Sequence, residues 1–456
     1  MSILKKLIVA VLTLQARAVL RKYKPRIIAV TGSVGKTSAK DAIYAVLANS
    51  AQPSTGLGVR VRKSDKSFNS EIGLPLTILG VPNAWKNPFR WVVNILDGIA
   101  LLFGNVRYPE WLVLEVGADR PGDIRKVAEW LPVDMAVITR LPEVPVHVEY
   151  FDSPDDVVAE KAALISALRP GGTLVLFADD ERFASLAARA PGPVVTFGFS
   201  ELAQVRGGKT SLILDDEDYP EGVEADITHG TDRAHVKVLG AAGDHALLPM
   251  VAAAAVGVAL GLSLPECAKA LEHYEAPPGR MRLLRGIKDS LIIDDTYNSS
   301  PAALLAALDT LALFPKRGRR IADNVGGAAQ ERGIPLGRRI AVLGDMSELG
   351  RHSMGEHKKI GARAAEVVDI LYTVGFRARG IAEGALTASL HESKIFQFED
   401  AEKAGDALND ELKEGDAVLV KGSQMMRMER TVESLMADPR RASELLVRQE
   451  EEWKKR

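Results

Sequence analysis

A glycine-rich turn between a predicted strand and a predicted helix constrains this chain more than any other feature. Residues 30–38 read V-T-G-S-V-G-K-T-S. The apolar run before them, residues 27–30, is typical of a short buried strand, and the apolar-periodic run after them, residues 42–47, is typical of a helix. Gly32 and Gly35 let the backbone turn tightly and aim its N–H groups at an anion, which the helix dipole also favours. The segment therefore predicts a phosphate-binding loop.

The side chains of this loop suit a nucleotide with its metal ion. Lys36 would reach the β- and γ-phosphates, and Thr37 would place its hydroxyl on Mg²⁺. Ser33 and Ser38 complete the set of expected phosphate contacts. The general motif has a further glycine five residues before Gly35, where this chain has Val30. The alternative interpretation is a glycine turn that only joins a strand to a helix.

Size and composition indicate a globular protein of two or three domains. The chain has 456 residues, of which 46% are hydrophobic and 26% are charged, as in ordinary globular proteins. A net charge of −2 gives no reason to expect nucleic acid as a partner. The single cysteine, Cys267, excludes an internal disulfide and a cysteine-based metal cluster, so we expect a reducing, cytoplasmic setting.

Two apolar stretches require an interpretation that does not involve a membrane span. Residues 1–25 are expected to form an amphipathic helix on the first domain, because the apolar run 7–14 is too short to cross a bilayer. Weak peripheral membrane contact through this helix is the alternative. Residues 91–103 contain Asn94 and Asp97 and are also short, so they predict a mostly buried helix.

Strand–helix alternation divides the rest of the chain in two. Residues 26–276 predict a central α/β domain with a parallel, doubly wound sheet, to which residues 207–239 add a small antiparallel sheet. Pro-Pro-Gly at 277–279 marks a linker. Residues 277–437 predict a second α/β domain, and residues 438–456 a charged tail, either a helix or a frayed end. The Arg/Gly-rich residues 316–339 are interpreted as a surface insertion.

One carboxylate stands where a metal ligand belongs. The apolar strand 111–117 ends in the carboxylate of Glu115, and a carboxylate at that end of a strand beside a phosphate loop is placed to bind Mg²⁺. The alternative is a residue that caps the next helix. Lys161 lies on a helix that a hydroxyl cap and Pro154 predict, and from the residues alone it is a solvent-exposed lysine.

A series of ordered motifs resembles the Mur ligases. They are T-G-S-V-G-K-T-S, F-N-S-E-I-G-L-P-L-T, L-E-V-G-A-D-R-P-G-D-I, H-V-E-Y-F, G-R-M-R-L-L, D-D-T-Y-N-S-S-P, V-L-G-D-M-S-E-L-G and V-K-G-S. The resemblance covers residues 26–435 and is greatest for the branch that adds D-Ala-D-Ala to UDP-MurNAc-tripeptide. It implies a central P-loop ATPase domain and a C-terminal Rossmann-like domain that closes over it.

The resemblance also implies a reaction. The chain would be an ATP-dependent, ADP-forming ligase of peptidoglycan precursor synthesis that joins a carboxylate to an amine through an acyl phosphate. Its partners would be ATP, two Mg²⁺ ions, a UDP-muramyl peptide and D-Ala-D-Ala, and it would act as a monomer. The alternatives are a Mur-like ligase for a different carboxylate–amine pair and a non-catalytic ATP-binding partner subunit.

Roles for individual residues follow from the same resemblance. His147 and Lys161 would bind the second Mg²⁺, the latter after CO₂ converts its amine to a carbamate. Arg280 would contact the nucleotide phosphates, and Asp295 and Asn298 would contact the ribose or the adenine. The residues expected to meet the substrates are Asn69, Lys421 and Ser423.

Three departures from the family pattern are visible. Only about 25 residues precede the first strand, so the UDP-binding N-terminal domain is expected to be absent and another surface would hold the UDP-sugar. The usual T-N-I-G-x-x-H reads T-R-L-P-E-V-P-V-H, with Arg140 in place of asparagine. The usual H-N-x-x-N near the adenine reads H-A-L-L-P from His245 and has neither asparagine, which predicts looser nucleotide selectivity.

Overall fold

The computed structural model describes residues 3–50, 59–65, 71–84, 87–217, 219–314 and 337–454. Asn69 and almost all of the predicted insertion at 316–339 therefore lie outside the described residues. The described chain forms two α/β halves, each built on its own sheet. This confirms the predicted fold class.

The first half contains ten strands and nine α-helices among the described residues. The strands are β1 Arg26–Thr31, β2 Val61–Lys63, β3 Trp111–Glu115, β4 Val133–Ile138, β5 Leu168–Phe177, β6 Val194–Gly198, β7 Val205–Gly207, β8 Ser211–Leu214, β9 Pro220–His229 and β10 Asp232–Leu239. The helices are α1 Ile3–Tyr23, α2 Lys36–Asn49, α3 Gly73–Leu79, α4 Pro88–Phe103, α5 Asp123–Ala128, α6 Pro154–Ala162, α7 Phe183–Ala187, α8 Asp244–Ala259 and α9 Leu264–Leu271.

All ten strands belong to one sheet, in the order β10-β9-β7-β6-β5-β4-β1-β3-β2, with β8 paired to β9. In this order, all neighbouring strands from β2 across the sheet to β7 are parallel. Strand β9 is antiparallel to each of its partners, β7, β8 and β10. The predicted antiparallel strands are therefore present, but they continue the parallel sheet instead of forming a separate one. The reason is β7, which pairs parallel with β6 on one edge and antiparallel with β9 on the other.

Helices cover both faces of this sheet, so its central strands are apolar on both sides. Along β1, Ile28 and Val30 pack with α2 and α8 on one face. Ile27 and Ala29 pack on the other face, against α1 and α3. The strand that leads into the phosphate loop is thus buried at every position from Ile27 to Thr31, which holds the loop in a fixed place.

The N-terminal helix α1 is longer than the apolar run that predicts it and packs on α3 and α4. None of the described helices has the length and hydropathy that a bilayer span requires. The prediction of a mostly buried helix at 91–103 is wrong: α4 buries only Asn94 and Gly98 and turns most of its apolar side chains to solvent. The sequence pattern can show that a helix has an apolar side, but it does not show whether that side meets the core or the solvent.

The second half contains a six-stranded sheet. The strands are β11 Arg282–Arg285, β12 Leu291–Asp295, β13 Arg339–Gly344, β14 Ile370–Val374, β15 Ile395–Phe398 and β16 Ala417–Lys421. Their order in the sheet is β11-β12-β16-β13-β14-β15, and all neighbours are parallel except β11 and β12. The last strand in sequence, β16, lies between β12 and β13. The helices are α10 Pro301–Leu311, α11 Ser353–Val367, α12 Arg379–Thr387, α13 Ala401–Glu411, α14 Glu429–Leu435, α15 Ala442–Leu445 and α16 Glu451–Lys454.

The segment predicted as a charged helix or a frayed end is instead packed on the second half. Leu445 and Leu446 are buried in its core. The buried guanidinium of Arg448 donates to Glu429 Oε2 at 2.6 Å and to the carbonyl of Thr296, also at 2.6 Å. The buried carboxylate that pairs with Arg448 is on α14, outside the tail. The amino-acid composition of the tail therefore could not predict this pairing.

Candidate active site

The phosphate loop has the predicted strand–turn–helix setting. β1 ends at Thr31 and α2 begins at Lys36, directly after Gly35. Gly32 and Gly35 have positive φ angles of 142° and 85°. A Cβ atom at Gly32 would also collide with the side chain of Thr139. Both glycines are therefore required by the backbone, and the first turn of α2 presents its unpaired N–H groups to the cavity beside the loop.

The Lys36 ammonium folds back over the loop and donates to the carbonyl of Gly32 at 2.9 Å. Burial lowers the pKa of Lys36, and the nearby Glu115 carboxylate partly offsets this effect. A desolvated cation at this position attracts phosphate oxygens more strongly than a hydrated lysine would.

Thr37 and Glu115 lie side by side, as the Mg²⁺ prediction requires. The Thr37 hydroxyl donates to Glu115 Oε2 at 2.9 Å, and both residues are buried. The described residues contain no group of three or more His, Cys, Asp or Glu that could hold a metal ion. One hydroxyl and one carboxylate fit Mg²⁺, which prefers hard oxygen ligands and completes its shell with phosphates and water.

Arg280 reaches this pair from the linker between the halves. Its Nη2 atom lies 3.5 Å from Thr37 Oγ1, and its guanidinium stacks over the Tyr297 ring at 4.0 Å. Tyr297 comes from the loop after β12, in the second half. The linker arginine therefore stands between the phosphate loop and the second half, where its charge can face nucleotide phosphates.

Lys161 is not the solvent-exposed lysine that the residues alone predict. It is 1% exposed, and it makes no hydrogen bond and no ion pair with the described residues. Its neighbour Glu160 is held in place by the N–H groups of Gly122 and Ile124, at 3.0 and 2.7 Å. Burial, and then repulsion from Lys36, lowers the pKa of Lys161 to about 7. The side of α6 that carries Lys161 faces the interior of the first half. The sequence pattern of this one helix does not show which of its sides is buried.

His147 connects the two halves. Its Nδ1 atom lies 2.7 Å from Glu348 Oε2, and its Nε2 atom lies 3.7 Å from Asp119 Oδ1. The adjacent His147 imidazole lowers the pKa of Glu348. His147 thus lies at the cavity, as expected, but its Nδ1 atom pairs with a carboxylate of the second half.

A cavity of about 290 Å³ lies between the halves. Among the described residues, the predicted site residues that line it are Ser33, Gly35, Lys36, Thr37, Ser38, Glu115, His147, Arg280, Asp295, Asn298 and Lys421. Gly32, Lys161 and Ser423 do not line it. The structure therefore gathers most of the residues expected to bind the nucleotide, and the assigned role of each remains a prediction.

Lys421 and Ser423, which are expected to meet the peptide substrate, have partners within the second half. The buried Lys421 ammonium lies 2.6 Å from Asp295 Oδ2 and donates to the Asn298 carbonyl at 2.7 Å. Ser423 Oγ accepts a hydrogen bond from the Ser347 amide at 2.7 Å. Lys421 thereby fixes the two residues predicted to contact the ribose or adenine.

Sequence reasoning missed several residues of this site. Ser64 is fully buried and its hydroxyl accepts a hydrogen bond from the Glu115 amide at 3.1 Å, which orients the end of β3. Tyr274 lines the cavity, and burial raises the pKa of its hydroxyl. Tyr297 lies within the motif D-D-T-Y-N-S-S-P, and Glu348 lies within V-L-G-D-M-S-E-L-G. Their positions in these two motifs are the sequence signal that could have identified them as site residues.

The two halves correspond to known protein families. The family model described as Mur ligase middle domain matches residues 30–89 and 94–257, and the model described as Mur ligase, glutamate ligase domain, matches residues 322–424. A UDP-N-acetylmuramoyl-tripeptide--D-alanyl-D-alanine ligase of Mycobacterium tuberculosis (strain CDC 1551 / Oshkosh) is 30% identical over 441 residues, which is 90% of this chain and 73% of the relative. The chain belongs to the Mur ligase family. Like the family, it is an ATP-dependent ligase.

Other Mur ligases resemble the chain over similar lengths. The Bacillus subtilis (strain 168) enzyme with the same name as the mycobacterial relative is 27% identical over 427 residues, covering 93% of this chain and 79% of the relative. The crystal structure of a MurF ligase from Thermotoga maritima in complex with ADP has a TM-score of 0.71 and 26% identity, and covers 94% of this chain and 83% of that one. A MurF structure from Acinetobacter baumannii, at 23% identity and a TM-score of 0.71, supports the fold.

Proposed function

We propose that this Mur ligase joins D-Ala-D-Ala to UDP-MurNAc-tripeptide, with hydrolysis of ATP to ADP and phosphate. The observation that carries the proposal is the convergence of Lys36, Thr37, Glu115 and Arg280 on one cavity between the halves. The names of the relatives supply the substrate pair.

The chemistry that these residues can support is phosphoryl transfer followed by acyl transfer. A carboxylate oxygen of the tripeptide attacks the γ-phosphorus, the bond to the β-phosphate oxygen breaks, and ADP leaves. The neutral amine of D-Ala-D-Ala then attacks the acyl carbon, loses a proton, and phosphate departs with the electron pair of the broken C–O bond. Phosphoryl transfer needs positioning and charge neutralisation more than covalent help. Lys36 and the N–H groups of the loop provide both.

The metal ions and the guanidinium complete the neutralisation of charge. Thr37 and Glu115 would hold one Mg²⁺, which when bound polarises the phosphoryl oxygens. Arg280 adds a cation that stays charged at every relevant pH. Its stacking on Tyr297 keeps the guanidinium aimed at the loop.

We also propose that Lys161 becomes a carbamate. A neutral amine attacks CO₂ and loses a proton, which forms an anion that can bind the second Mg²⁺. Three features support this: the side chain is buried, it makes no ion pair among the described residues, and its pKa is lowered to about 7, so that much of the amine is neutral near pH 7.

The carbamate has a direct spectroscopic test. With ¹³C-bicarbonate, the wild-type protein is expected to show a carbamate carbon signal in its NMR spectrum. Lys161→Arg should remove that signal while the protein still unfolds cooperatively. A signal that persists in Lys161→Arg, or its absence from the wild-type protein under saturating bicarbonate, would show that Lys161 is not modified.

The substrate pair is tested by measuring the release of ADP and phosphate with Mg²⁺-ATP, UDP-MurNAc-tripeptide and D-Ala-D-Ala, omitting each in turn. We expect release only when all components are present, and a loss of at least about 100-fold in Lys36→Ala, since the loop lysine neutralises transition-state charge. Lys269→Ala, an exposed lysine on α9, is the matched control and should retain activity. Nucleotide binding without substrate-dependent release would exclude this pair and favour a different carboxylate and amine.

A further inference from the structure

Helix α4 carries an apolar face that is turned to solvent. Its exposed apolar residues recur every three or four positions and so lie on one side of the helix. Phe89 and Phe103, at the two ends of this face, are 82% and 88% exposed. The remaining members are Val92, Val93, Leu96 and Ile99. A helix of 16 residues is about 24 Å long, so the face is a continuous apolar stripe of that length, which on a protein surface indicates a binding surface.

The rest of the structure holds this helix firmly. The Gln15 side-chain amide donates to the Ile95 carbonyl at 2.9 Å. A Cβ atom at Gly98 would collide with Gln15, so α1 approaches α4 closely at that point. The Lys22 ammonium and the Tyr23 hydroxyl bind the last carbonyls of α4, including that of Leu101 at 3.1 and 2.8 Å. Helix α4 is therefore held against the rest of the protein, and its apolar face is a stable part of the protein surface.

The charged residues near the edge of the apolar face of α4 indicate which kind of partner can bind there. Residues 1–26 contain seven Lys and Arg and no acidic residue, and residues 87–107 contain two Arg and one acidic residue, Asp97, in a chain whose net charge is −2. Arg21, Lys22, Lys24 and Arg107 are exposed, and Lys22 contacts the C-terminal end of α4. A basic cluster thus borders one end of the apolar stripe.

We propose that the α4 face and this basic cluster dock on an anionic lipid surface, with α4 lying in the plane of the membrane interface. Apolar side chains on one face of a helix, next to lysine and arginine, are the combination that binds such a surface. A second copy of this chain would present the same basic cluster and so would offer no complementary charge to the first.

Docking on this side leaves the catalytic cavity open. α4 packs with α1 and α3, on the sheet face opposite α2 and α8. No described residue that lines the cavity belongs to α1, α3 or α4. The proposal is independent of the substrates proposed above.

The test is co-sedimentation of the full chain with vesicles of phosphatidylglycerol and, separately, of phosphatidylcholine. We expect binding to the anionic vesicles that weakens as salt is raised, and little binding to the neutral ones. The double variant Leu96→Glu/Phe103→Glu replaces two apolar contacts by charges, so its partition coefficient should fall by at least about tenfold. The control is Leu202→Glu, which changes an apolar residue that is 60% exposed in another part of the first half; it should bind like the wild type.

Three results of the vesicle assay would overturn the proposal. They are absence of wild-type binding to anionic vesicles, equal binding of the double variant, and equal binding to neutral vesicles. Sedimentation velocity without lipid provides a further check, because a wild-type dimer that the double variant dissociates would assign the face to a second copy. Both residues are exposed, so the double variant should fold, and its unfolding midpoint confirms this.

Discussion

His147 Nδ1 lies 2.7 Å from Glu348 Oε2, and the two residues belong to opposite halves of the molecule. Both have positive φ angles, 69° and 63°, which residues other than glycine rarely adopt. The Glu149 amide also donates to the Glu348 carbonyl, at 3.3 Å. Two unfavourable backbone conformations therefore meet at one contact, which ties the halves together at the edge of the cavity.

Removing the charge of Glu348 should weaken this tie. In Glu348→Gln we expect the KM for ATP to rise about two- to fivefold, because a partly exposed polar contact of this kind contributes roughly 0.2–1 kcal/mol. Glu356→Gln, whose carboxylate pairs with Lys359 on the same helix, is the control and should keep the wild-type KM. The KM values are measured by steady-state ADP release. Equal values for the two variants would show that the contact between His147 and Glu348 does not help to hold the two halves together.

Thr37 should be needed for its hydroxyl more than for its shape. Thr37→Val keeps the volume but removes the oxygen that lies 2.9 Å from Glu115, so half-maximal activity should require at least about tenfold more Mg²⁺, the scale of one lost ligand contact. Thr37→Ser retains the oxygen and should remain near the wild type. A Mg²⁺ titration of ADP release compares them, and identical curves for Thr37→Val and the wild type would exclude Thr37 as a metal ligand.

Asp294 should make stability depend on pH. Burial raises its pKa to about 6, although Thr296 donates two hydrogen bonds to Oδ1. Because the native state holds a proton here that the unfolded state loses near pH 4, this group destabilises the fold as pH rises from about 4 to 6. Asp294→Asn is therefore expected to be more stable than the wild type at pH 7, by about 1–3 kcal/mol.

Urea unfolding at several pH values measures this effect. The advantage of Asp294→Asn should shrink as pH falls from 6 to 4 and disappear below that range. Asp309→Asn, an exposed carboxylate on α10 that pairs with Arg363, controls for the loss of an ordinary surface charge. An advantage that does not change with pH would contradict a raised pKa at Asp294.

Arg448 should be a main determinant of stability in the second half. Its guanidinium pairs with the buried Glu429 and with two carbonyls of the loop after β12. Arg448→Met leaves Glu429 Oε2 and two loop carbonyls without their donor, although Arg427 still pairs with Glu429 Oε1 at 2.6 Å, and this loss should cost about 1–3 kcal/mol. Arg441→Met breaks an exposed pair with Glu444 and should cost less than about 1 kcal/mol. Similar unfolding free energies for both variants in urea would refute this difference.

The sequence predicted those parts of the molecule in which local pattern and tertiary structure agree. The phosphate loop, the strand that ends at Glu115 and the two-half architecture all follow from short segments with a clear period or turn chemistry. These segments match the predictions because their apolar runs and turn glycines already specify the local conformation that the sheet then uses.

The errors concern contacts between distant segments. The burial of Lys161, the exposure of α4 and the partners of Arg448 depend on which face of an element meets the core, and neither an apolar run nor a charged tail contains that information. His147 shows the same limit, since Glu348 lies some two hundred positions away in sequence. Family resemblance assigned Lys161 to the metal centre, whereas its environment could be seen only in the folded chain.

The place of β16 between β12 and β13 has a consequence for biosynthesis. Until residues 417–421 leave the ribosome, β12 and β13 each present an unpaired strand edge, because the strand that joins them is made last. Open edges of this kind pair readily with other chains. A chain that is truncated shortly before this strand would therefore carry a second half that is prone to aggregate.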